Sequence, residues 1–431
     1  MASLTPPMAG QLHPVRKLRA VSEGSTPRWP RGLLGLALFA VAFGTNISTP
    51  LLLLYQDRLA LSTVTTTMLF AVYPLGLLPA LLWAGPASDA LGRRRLMVPG
   101  VAASAVASVV MMLGANHLWA LFAGRLLLGA VSAVVFVAAS AWMQEIGAGT
   151  GGDPLWPSRL TAMLLYGGFG AGPLVSGLLA QWAPWPLVLP YLVHIATVVV
   201  ALAALSAVPE TVLARRGGPI RPHLGVPANA RRPFLEVVAP TALAVFGFAS
   251  LSLGLFPILL RPAMRGIALF ATGIIAMLTA GAIFAAQQIV VRIGIVRAAP
   301  LAMACGAGGC ALGVVAFASG WWPLVFPSGI ALGFASGLAV TAGLRFVDVL
   351  TEPATRGAMT GAFYAVAYAA MTMPALVATI ARSRTGYVAV LSGVSAIAVL
   401  ATLWLRVRAP RHLTAAVAPP AMTPAPAPVT R

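Results

Sequence analysis

The chain has 431 residues, of which 59% are hydrophobic and only 9% are charged. This composition excludes an ordinary soluble globular protein and indicates a protein with several membrane spans. The formal net charge is +19, but the Arg and Lys residues lie in short clusters between apolar runs. A nucleic-acid interface gathers its basic residues on one surface, so this pattern instead predicts topology signals and attraction to anionic lipid head groups.

The segment 1–31 is rich in Pro and basic residues and has no apolar periodicity, so we expect a disordered cytoplasmic tail. The apolar run that follows is longer than the core of a signal peptide and ends without an obvious small-residue cleavage site. We therefore interpret it as the first of a series of membrane spans.

Twelve apolar runs are long enough to cross about 30 Å of hydrocarbon at about 1.5 Å per residue. All are expected to be helices, because an open strand in lipid would leave backbone groups without hydrogen bonds. The predicted spans cover 32–55, 62–84, 96–114, 118–143, 160–182, 186–208, 237–259, 267–291, 299–319, 322–344, 357–381 and 386–405.

The longest polar interruption, 209–236, divides the spans into two sets of six. The predicted architecture is an all-α membrane protein with one bundle over 32–208, a cytoplasmic central loop, and a second bundle over 237–408. The Ala- and Pro-rich segment 409–431 is expected to be a disordered cytoplasmic tail.

The basic residues also predict the orientation. When the N-terminus is placed in the cytoplasm, most of the 28 Arg and Lys residues fall on cytoplasmic segments. The positive-inside rule therefore predicts that both termini are cytoplasmic, in a multi-pass protein of the inner (plasma) membrane. The residues left on the outside are Arg58, Arg261, Arg265, Arg382 and Arg384.

A short charged turn joins the second and third spans and reads Gly-Pro-Ala-Ser-Asp-Ala-Leu-Gly-Arg-Arg-Arg. Its glycines permit close backbone approach, and its arginines favour the cytoplasmic side. A turn that only reverses the chain would not need the acid, which can pair with a guanidinium or accept N–H groups at a helix start. The candidate gating residues are Gly85, Asp89, Gly92, Arg93 and Arg94.

The spacing of these residues resembles the signature loop between helices 2 and 3 of the major facilitator superfamily, and the division into six and six spans supports the resemblance. It implies two pseudo-symmetric bundles that rock around a central cavity. It also implies that Asp89 contacts the start of helix 11, near Thr355, when the cavity faces outward. Glu145, at the end of the fourth span, is a further expected partner for Arg93 or Arg94.

Arg125 is the only charged residue well inside a predicted span. A central arginine costs roughly 3 kcal/mol on insertion scales, which the apolar residues of the same run offset, so insertion alone assigns it no role. The sequence around it, Leu121 to Gly129, resembles the helix-4 motif of the superfamily and implies a place in the transport pathway. The alternative is an arginine that merely extends towards the interface.

The fifth span contains the order Gly168, Gly172, Pro173, Gly177. Proline kinks a helix, and glycines clear a face for close helix contact, so small-residue packing is the simple interpretation. The same order resembles the helix-5 motif of the superfamily's exporters, often called the antiporter motif, and favours export over import. Pro209-Glu210-Thr211, after the sixth span, also resembles a recurrent ending in the family.

By the family's architecture, several polar or adaptable side chains should line the central cavity, although such a side chain more often packs than contacts a ligand. Such a wall with one cation, Arg125, would suit hydrophobic, neutral or anionic small molecules and would fit dicationic compounds poorly. The further candidates are Asn46, Tyr73, Tyr166, Gln287, Tyr364, Tyr368 and Met371.

Proton antiport needs a titrating group in the pathway, but none of the nine acidic residues lies deep in a predicted span. Asp57 near the outer mouth, Asp89 at the inner gate, a proton carried by the substrate, and facilitated diffusion all stay open. His194, in the sixth span, is interpreted as a structural histidine.

The sequence thus predicts a monomeric secondary transporter that exports a small organic molecule by alternating access, with protons as a candidate coupling ion and no metal or other cofactor. An importer of a metabolite on the same fold is the nearest alternative. A receptor that does not transport is a further one. An intramembrane enzyme is disfavoured, because the acids and histidines are scattered singly along the chain.

Overall fold

The computed structural model describes residues 29–148, 153, 155–211 and 225–417. All regular elements in these ranges are helical, and twelve helices are long and apolar enough to cross a membrane. The predicted all-α fold with twelve spans is therefore confirmed. The helices are α1 (Pro30–Arg58), α2 (Thr63–Leu91), α3 (Arg93–Leu113), α4 (Leu118–Ala148), α5 (Trp156–Trp182), α6 (Leu189–Ala207), α7 (Ala228–Leu260), α8 (Ala268–Ile293), α9 (Ile295–Ser319), α10 (Trp322–Leu350), α11 (Thr355–Ile380) and α12 (Arg384–His412).

Three helices extend into segments that were predicted to be loop or tail. Helix α1 begins at Pro30, inside the predicted tail 1–31. Helix α7 begins with a 3-10 turn at Ala228 and becomes α-helical at Arg231, inside the predicted central loop 209–236. Pro233 is tolerated there because it lies in the first turn of the α-helix, where its N–H would have no intrahelical acceptor. Helix α12 continues as a helix to Val417, within the predicted tail 409–431. The remaining parts of the two predicted disordered tails, 1–28 and 418–431, and the segment 212–224 of the predicted central loop lie outside the described residues.

Helices α1 and α2 are each interrupted once near mid-span, at Ile47 and at Val72. A proline follows each interruption within three residues, Pro50 in α1 and Pro74 in α2. A proline has no N–H to donate to the carbonyl four residues earlier. Backbone carbonyls at both interruptions therefore need donors from elsewhere in the protein.

The two sets of six helices share a turn at equivalent places. Gly92 between α2 and α3 has φ 97° and ψ 151°, and Gly294 between α8 and α9 has φ 77° and ψ 157°. A positive φ favours glycine, which has no Cβ. The repeated turn agrees with two pseudo-symmetric bundles. We call the face that carries these two turns the inner face, and the opposite face the outer face.

Apolar packing separates the halves near the inner face and joins them near the outer face. One buried cluster lies within α7–α12, and another lies within the first six helices. A third cluster crosses between the halves, where Phe43, Leu52 and Phe70 pack with Ile258 and Leu269. This third cluster closes the space between the halves on the outer side.

A backbone contact between α5 and α8 also joins the halves. A Cβ added at Gly177 would collide with the carbonyl oxygen of Leu269, and one added at Gly273 would lie 2.6 Å from the carbonyl oxygen of Pro173. Because backbone atoms cannot move aside like the end of a side chain, these positions need glycine.

The other glycines of the helix-5 motif face a different helix. A Cβ at Gly168 would lie 2.6 Å from Cβ of Ala42, and one at Gly172 would collide with the carbonyl oxygen of Phe43, both in α1. The motif therefore clears two faces of α5, where the sequence suggested one. One face packs against α1 in the same half, and the other packs against α8 in the opposite half.

We expect Gly177→Ala to weaken closure of the outer face, because the added methyl group must push α8 away from α5. The measurement is the distance between spin labels at Ala183 and Ala263, in a background where Cys305 and Cys310 are replaced by alanine. The distribution should shift to longer distances. The matched control is Gly167→Ala, whose Cβ would have only Phe39 nearby, at 3.9 Å. Identical distributions for the two variants would contradict the prediction.

Candidate functional site

A cavity of about 400 Å³ lies between the two halves and opens at the inner face. Helices α4 and α5 of the first half and α8, α10 and α11 of the second form its walls. Tyr166 in its wall is ten residues from the start of α5 at Trp156, about 15 Å along the helix axis. The cavity therefore extends to about the middle of a bilayer. Its polar wall residues are Ser140, Gln144, Ser158, Thr161, Tyr166, Gln287, Thr341, Arg345, Asp348 and Tyr364.

Hydroxyl and amide groups dominate the polar part of the wall. The amide of Gln287 donates to the Tyr166 hydroxyl over 2.9 Å and so links α8 to α5 across the cavity. Two charged side chains also reach the wall. Asp348 lies 3.5 Å from Nε of Arg356. Arg345 is exposed and has no ion-pair or hydrogen-bond partner among the described residues, so it supplies the uncompensated charge of the cavity.

Aromatic side chains pack together beside the cavity. Tyr368 stacks on Phe246 with ring centroids 4.4 Å apart, and its other neighbour is Tyr364 at 6.0 Å. Tyr73 and Met371 are buried in the apolar cluster that crosses between the halves. These side chains therefore separate the cavity from the outer face.

Polar contacts between the halves reinforce this closure at the outer face. The guanidinium of Arg261, directly after α7, contacts both carboxylate oxygens of Asp57 in α1, and it donates to the Leu53 carbonyl over 3.0 Å. Gln181 at the end of α5 bonds to the Gly266 carbonyl at 2.9 Å and to the Leu269 N–H at 3.2 Å. Among the ion pairs of the described residues, Asp57–Arg261 is the one that joins the halves.

The predicted pathway residues divide into two groups. Tyr166, Gln287 and Tyr364 line the cavity. The other candidates lie outside its lining: Tyr73, Tyr368 and Met371 belong to the packing on its outer side, and Asn46 is half-buried next to the interruption of α1. Arg345 was not among the candidates, because an arginine at the inner end of a span looks like an ordinary topology signal.

Arg125 lies away from the cavity, and only 1% of its surface is exposed. Its guanidinium is surrounded by the interruptions of α1 and α2 and packs over the rings of Phe70 and Tyr73 at 5.3 and 5.2 Å. Arg125 is therefore not part of the lining of the cavity in this structure, and its place in the transport pathway stays a prediction. Its acceptors are the carbonyl oxygens of Leu69 (3.1 Å), Thr45 (3.2 Å) and Phe70 (3.4 Å) and the hydroxyl of Ser48 (3.3 Å).

These bonds explain why a buried arginine without an acid partner is stable here. Proline has no N–H, so Pro74 cannot donate to the carbonyl of Phe70, four residues earlier. Arg125 donates to this carbonyl instead. The guanidinium offers five N–H donors in a fixed arrangement, so one side chain can bond to carbonyls of two helices. Arg125 thus joins the interrupted segments of α1 and α2.

The predicted gating turn forms a charged cluster at the inner face. Arg93 is almost buried, with 8% of its side chain exposed, and lies 2.7 Å from both Asp89 and Glu145. Asp89 has 69% of its side chain exposed, whereas Glu145 has 32%. Glu145 was expected to be a partner of Arg93 or Arg94, and the structure places it against Arg93. A Cβ added at Gly85 would have no atom within 4 Å, so no neighbouring backbone requires a glycine at this position.

Glu210 belongs to the same cluster. Its carboxylate accepts hydrogen bonds from the backbone N–H groups of Arg93 (3.2 Å) and Arg94 (2.9 Å), at the start of α3. A negative charge stabilises a helix N-terminus. The neighbouring Thr211 hydroxyl bonds to Glu145. In the sequence, Pro209-Glu210-Thr211 only resembles a recurrent family ending. The residues that Glu210 and Thr211 contact are distant in the chain, so the sequence could not identify them.

The described partners of Asp89 and Arg93 all lie in the first half. Contact between Asp89 and the start of helix 11 was predicted for a cavity that faces outward. In this structure the cavity opens at the inner face, and no such contact occurs among the described residues. The gating contact therefore stays a prediction.

The other side chains that could take part in chemistry, a histidine and two cysteines, lie apart from the cavity. His194 is fully buried, its Nδ1 is 2.7 Å from the Ser108 hydroxyl, and its ring stacks on Phe43. Both cysteines are free thiols in α9. The described residues contain no group of three or more His, Cys, Asp or Glu side chains that could hold a metal ion.

Comparisons with known proteins agree on the fold. The family model described as Major Facilitator Superfamily matches residues 34–310. A search of curated protein sequences finds no match.

Solved structures of transporters match nearly the whole chain. A peptide transporter POT in complex with sulfate has a TM-score of 0.72 at 12% identity, covering 89% of this chain and 95% of its own. The nucleoside transporter NupG has a TM-score of 0.71 at 13% identity, covering 87% and 99%. A bacterial homologue of the human drug peptide transporters PepT1 and PepT2 has 0.68 at 14%, covering 89% and 99%. At such identities the likeness extends to the fold alone.

We expect Arg125→Met to lower the thermal stability of the purified protein in detergent. Methionine retains much of the volume but leaves the carbonyls of Thr45, Leu69 and Phe70 without their donor, and each unpaired buried acceptor costs about 1–3 kcal/mol. Arg125→Lys should lose less, because it keeps one donor group. Arg95→Met, at an exposed position of the inner face, is the control. A melting temperature of Arg125→Met equal to that of the control would exclude this role.

Proposed function

Because the chain belongs to the Major Facilitator Superfamily, we propose that it is a secondary transporter that exports a small organic molecule by alternating access. The observation that carries this proposal is the cavity between the halves, which is open at the inner face and closed at the outer face. We propose that the protein lies in the plasma membrane, with the inner face and both termini in the cytoplasm, an orientation that the positive-inside rule supports.

Alternating access requires the contacts that close one face to separate while new contacts close the other. On the outer side these contacts are the apolar cluster that crosses the halves, the α5–α8 backbone contact, the Gln181 hydrogen bonds and the Asp57–Arg261 pair. On the inner side, Asp89 has an exposed carboxylate that can reach the start of α11 when the halves close there. Asp89 is thus the proposed inner gate.

The direction of transport is proposed from helix α5. Its Gly168, Gly172, Pro173 and Gly177 follow the order of the exporter motif, and they pack α5 against both α1 and α8. A helix that contacts both halves through glycine is suited to sliding between two arrangements, because no side chain has to cross another. An importer would use the same cavity, and only the direction of net flux distinguishes the two functions.

The substrate class is proposed from the wall of the cavity. A volume of about 400 Å³ suits a small organic molecule. The wall offers hydroxyl, amide and tyrosine groups together with the cation of Arg345, which has no partner among the described residues. Neutral and anionic molecules with an aromatic or apolar part fit this wall, whereas a dicationic molecule would be repelled.

Purified protein in liposomes tests the function. With an imposed pH gradient, an anionic or neutral member of a compound panel should accumulate against its own gradient as protons move the other way, and dicationic members should not. Accumulation together with protons would instead identify an importer. Protein that gives no flux beyond empty liposomes for any compound, yet binds one of them, would favour a receptor and overturn the proposal.

For proton coupling we propose Asp57, the acid whose ion pair joins the halves at the outer face. A neutral side chain at this position would contact Arg261 less strongly, which favours opening of the outer face. We expect Asp57→Asn to mimic this state and to shift the ratio of the outer-open to the outer-closed state by up to about fivefold, the range of partly exposed ion pairs. The flux should then lose its dependence on outside pH.

The control for this variant is Asp153→Asn. Asp153 pairs with Arg159 over 3.1 Å at a similar exposure, but within one half. Spin-label distances across the outer face and flux at several values of outside pH are the measurements. A pH dependence that persists unchanged in Asp57→Asn would refute the coupling role of Asp57 without affecting the proposed transport.

A further inference from the structure

A groove of about 350 Å³ runs between α9 and α12, apart from the cavity between the halves. It lies on the surface that contacts lipid, because Val399 and Leu403 in its wall are half exposed and α12 is the least buried of the twelve spans. Its lining comprises Ala304, Ala307, Gly308, Ala311, Ser395, Val399, Thr402, Leu403 and Arg406.

The wall of this groove is apolar along its length and charged at one end. The Ser395 hydroxyl donates to the Ala307 carbonyl over 2.8 Å, and the Thr402 hydroxyl donates to the Ala398 carbonyl over 2.8 Å. Both hydroxyls are therefore satisfied within the protein. Arg406 is eleven residues beyond Ser395, which corresponds to about 16 Å along α12.

Trp404 indicates the depth of the charged end. Its indole is partly exposed and donates to the Glu236 carbonyl over 2.8 Å, near the inner end of α12. Tryptophan is enriched at the level of the lipid head groups. Arg406, two residues further along α12, therefore lies at the head-group level of the inner leaflet.

The charge of Arg406 is not neutralised by the described part of the chain. The nearby carboxylate of Glu236 already bonds to Arg232 (3.0 Å), Arg408 (3.3 Å) and His412 (2.8 Å). Arg406 itself is exposed, and no described side chain forms an ion pair or a hydrogen bond with it. A positive charge at this depth attracts an anion from the membrane.

We propose that this groove binds one anionic phospholipid of the inner leaflet, with an acyl chain between α9 and α12 and the phosphate on Arg406. A phospholipid joins a hydrocarbon chain to an anion and can span the distance from Ser395 to Arg406. A second copy of the chain would need a free acid at this level. Among the described acids of the second half near the inner face, Glu236 and Asp348 are paired, and Glu352 lies between α10 and α11, outside the lining of the groove.

Gly308 offers a way to fill the groove without disturbing the fold. A Cβ added there would have no atom within 4 Å, so a larger side chain can project into the groove. Gly393 in α12 is a matched position, because it also has no atom within 4 Å but lies outside the groove lining. Arg95 is a matched arginine, since it is exposed at the inner face away from α9 and α12.

Native mass spectrometry of the purified full chain tests the proposal. The probes are phosphatidylglycerol, phosphatidylcholine with the same acyl chains, and glycerol phosphate, which has the anion without the chains. Wild-type protein should retain one phosphatidylglycerol about fivefold more than phosphatidylcholine, the preference expected from one basic residue at the membrane surface. Glycerol phosphate should not bind.

The variants separate the two parts of the site. Arg406→Gln should reduce retention of phosphatidylglycerol to that of phosphatidylcholine, and Gly308→Leu should reduce retention of both lipids. Arg95→Gln and Gly393→Leu should behave like wild type. Equal retention of the two lipids by wild-type protein would overturn the proposal. So would a dimer that is lost in Gly308→Leu, since that result assigns the groove to a second copy.

Discussion

A backbone polar group inside a membrane must find its partner within the protein, and Arg125 meets this requirement where α1 and α2 are interrupted. Its guanidinium bonds to carbonyls of both helices, one of which is freed by Pro74. The interrupted segments lie beside the apolar cluster that crosses between the halves. The outer closure of the cavity is therefore built on helices whose shape depends on this arginine.

The ion pairs are distributed differently at the two faces of the protein. At the inner face, the contacts of Asp89, Arg93 and Glu145 stay within the first half, so the halves can separate there without breaking an ion pair. At the outer face, Asp57 and Arg261 join the halves, and α5 and α8 touch through glycine. A partly exposed ion pair such as Asp57–Arg261 contributes little stability on its own, which suits a closure that opens again.

The sequence does not show which polar side chains of a membrane helix face the cavity and which pack against another helix. Tyr166, Gln287 and Tyr364 were expected at the cavity and line it, whereas Tyr73 and Met371 pack in the closure beside it. All five are polar or adaptable side chains within apolar helices, and a helix without a polar face gives no sign of which side meets the cavity. The fold was more predictable, because apolar length alone identifies a span.

The sequence by itself determined the all-α class, the number of spans and the glycine turn at Gly92, and its basic residues predict an orientation. Each of these properties is local, since it depends on hydrophobicity, backbone freedom or charge along a short segment. Only the tertiary structure decided that Arg125 bonds to helix interruptions while Arg345 reaches the cavity. The two arginines differ in their neighbours, and those neighbours come from helices that are distant in the chain.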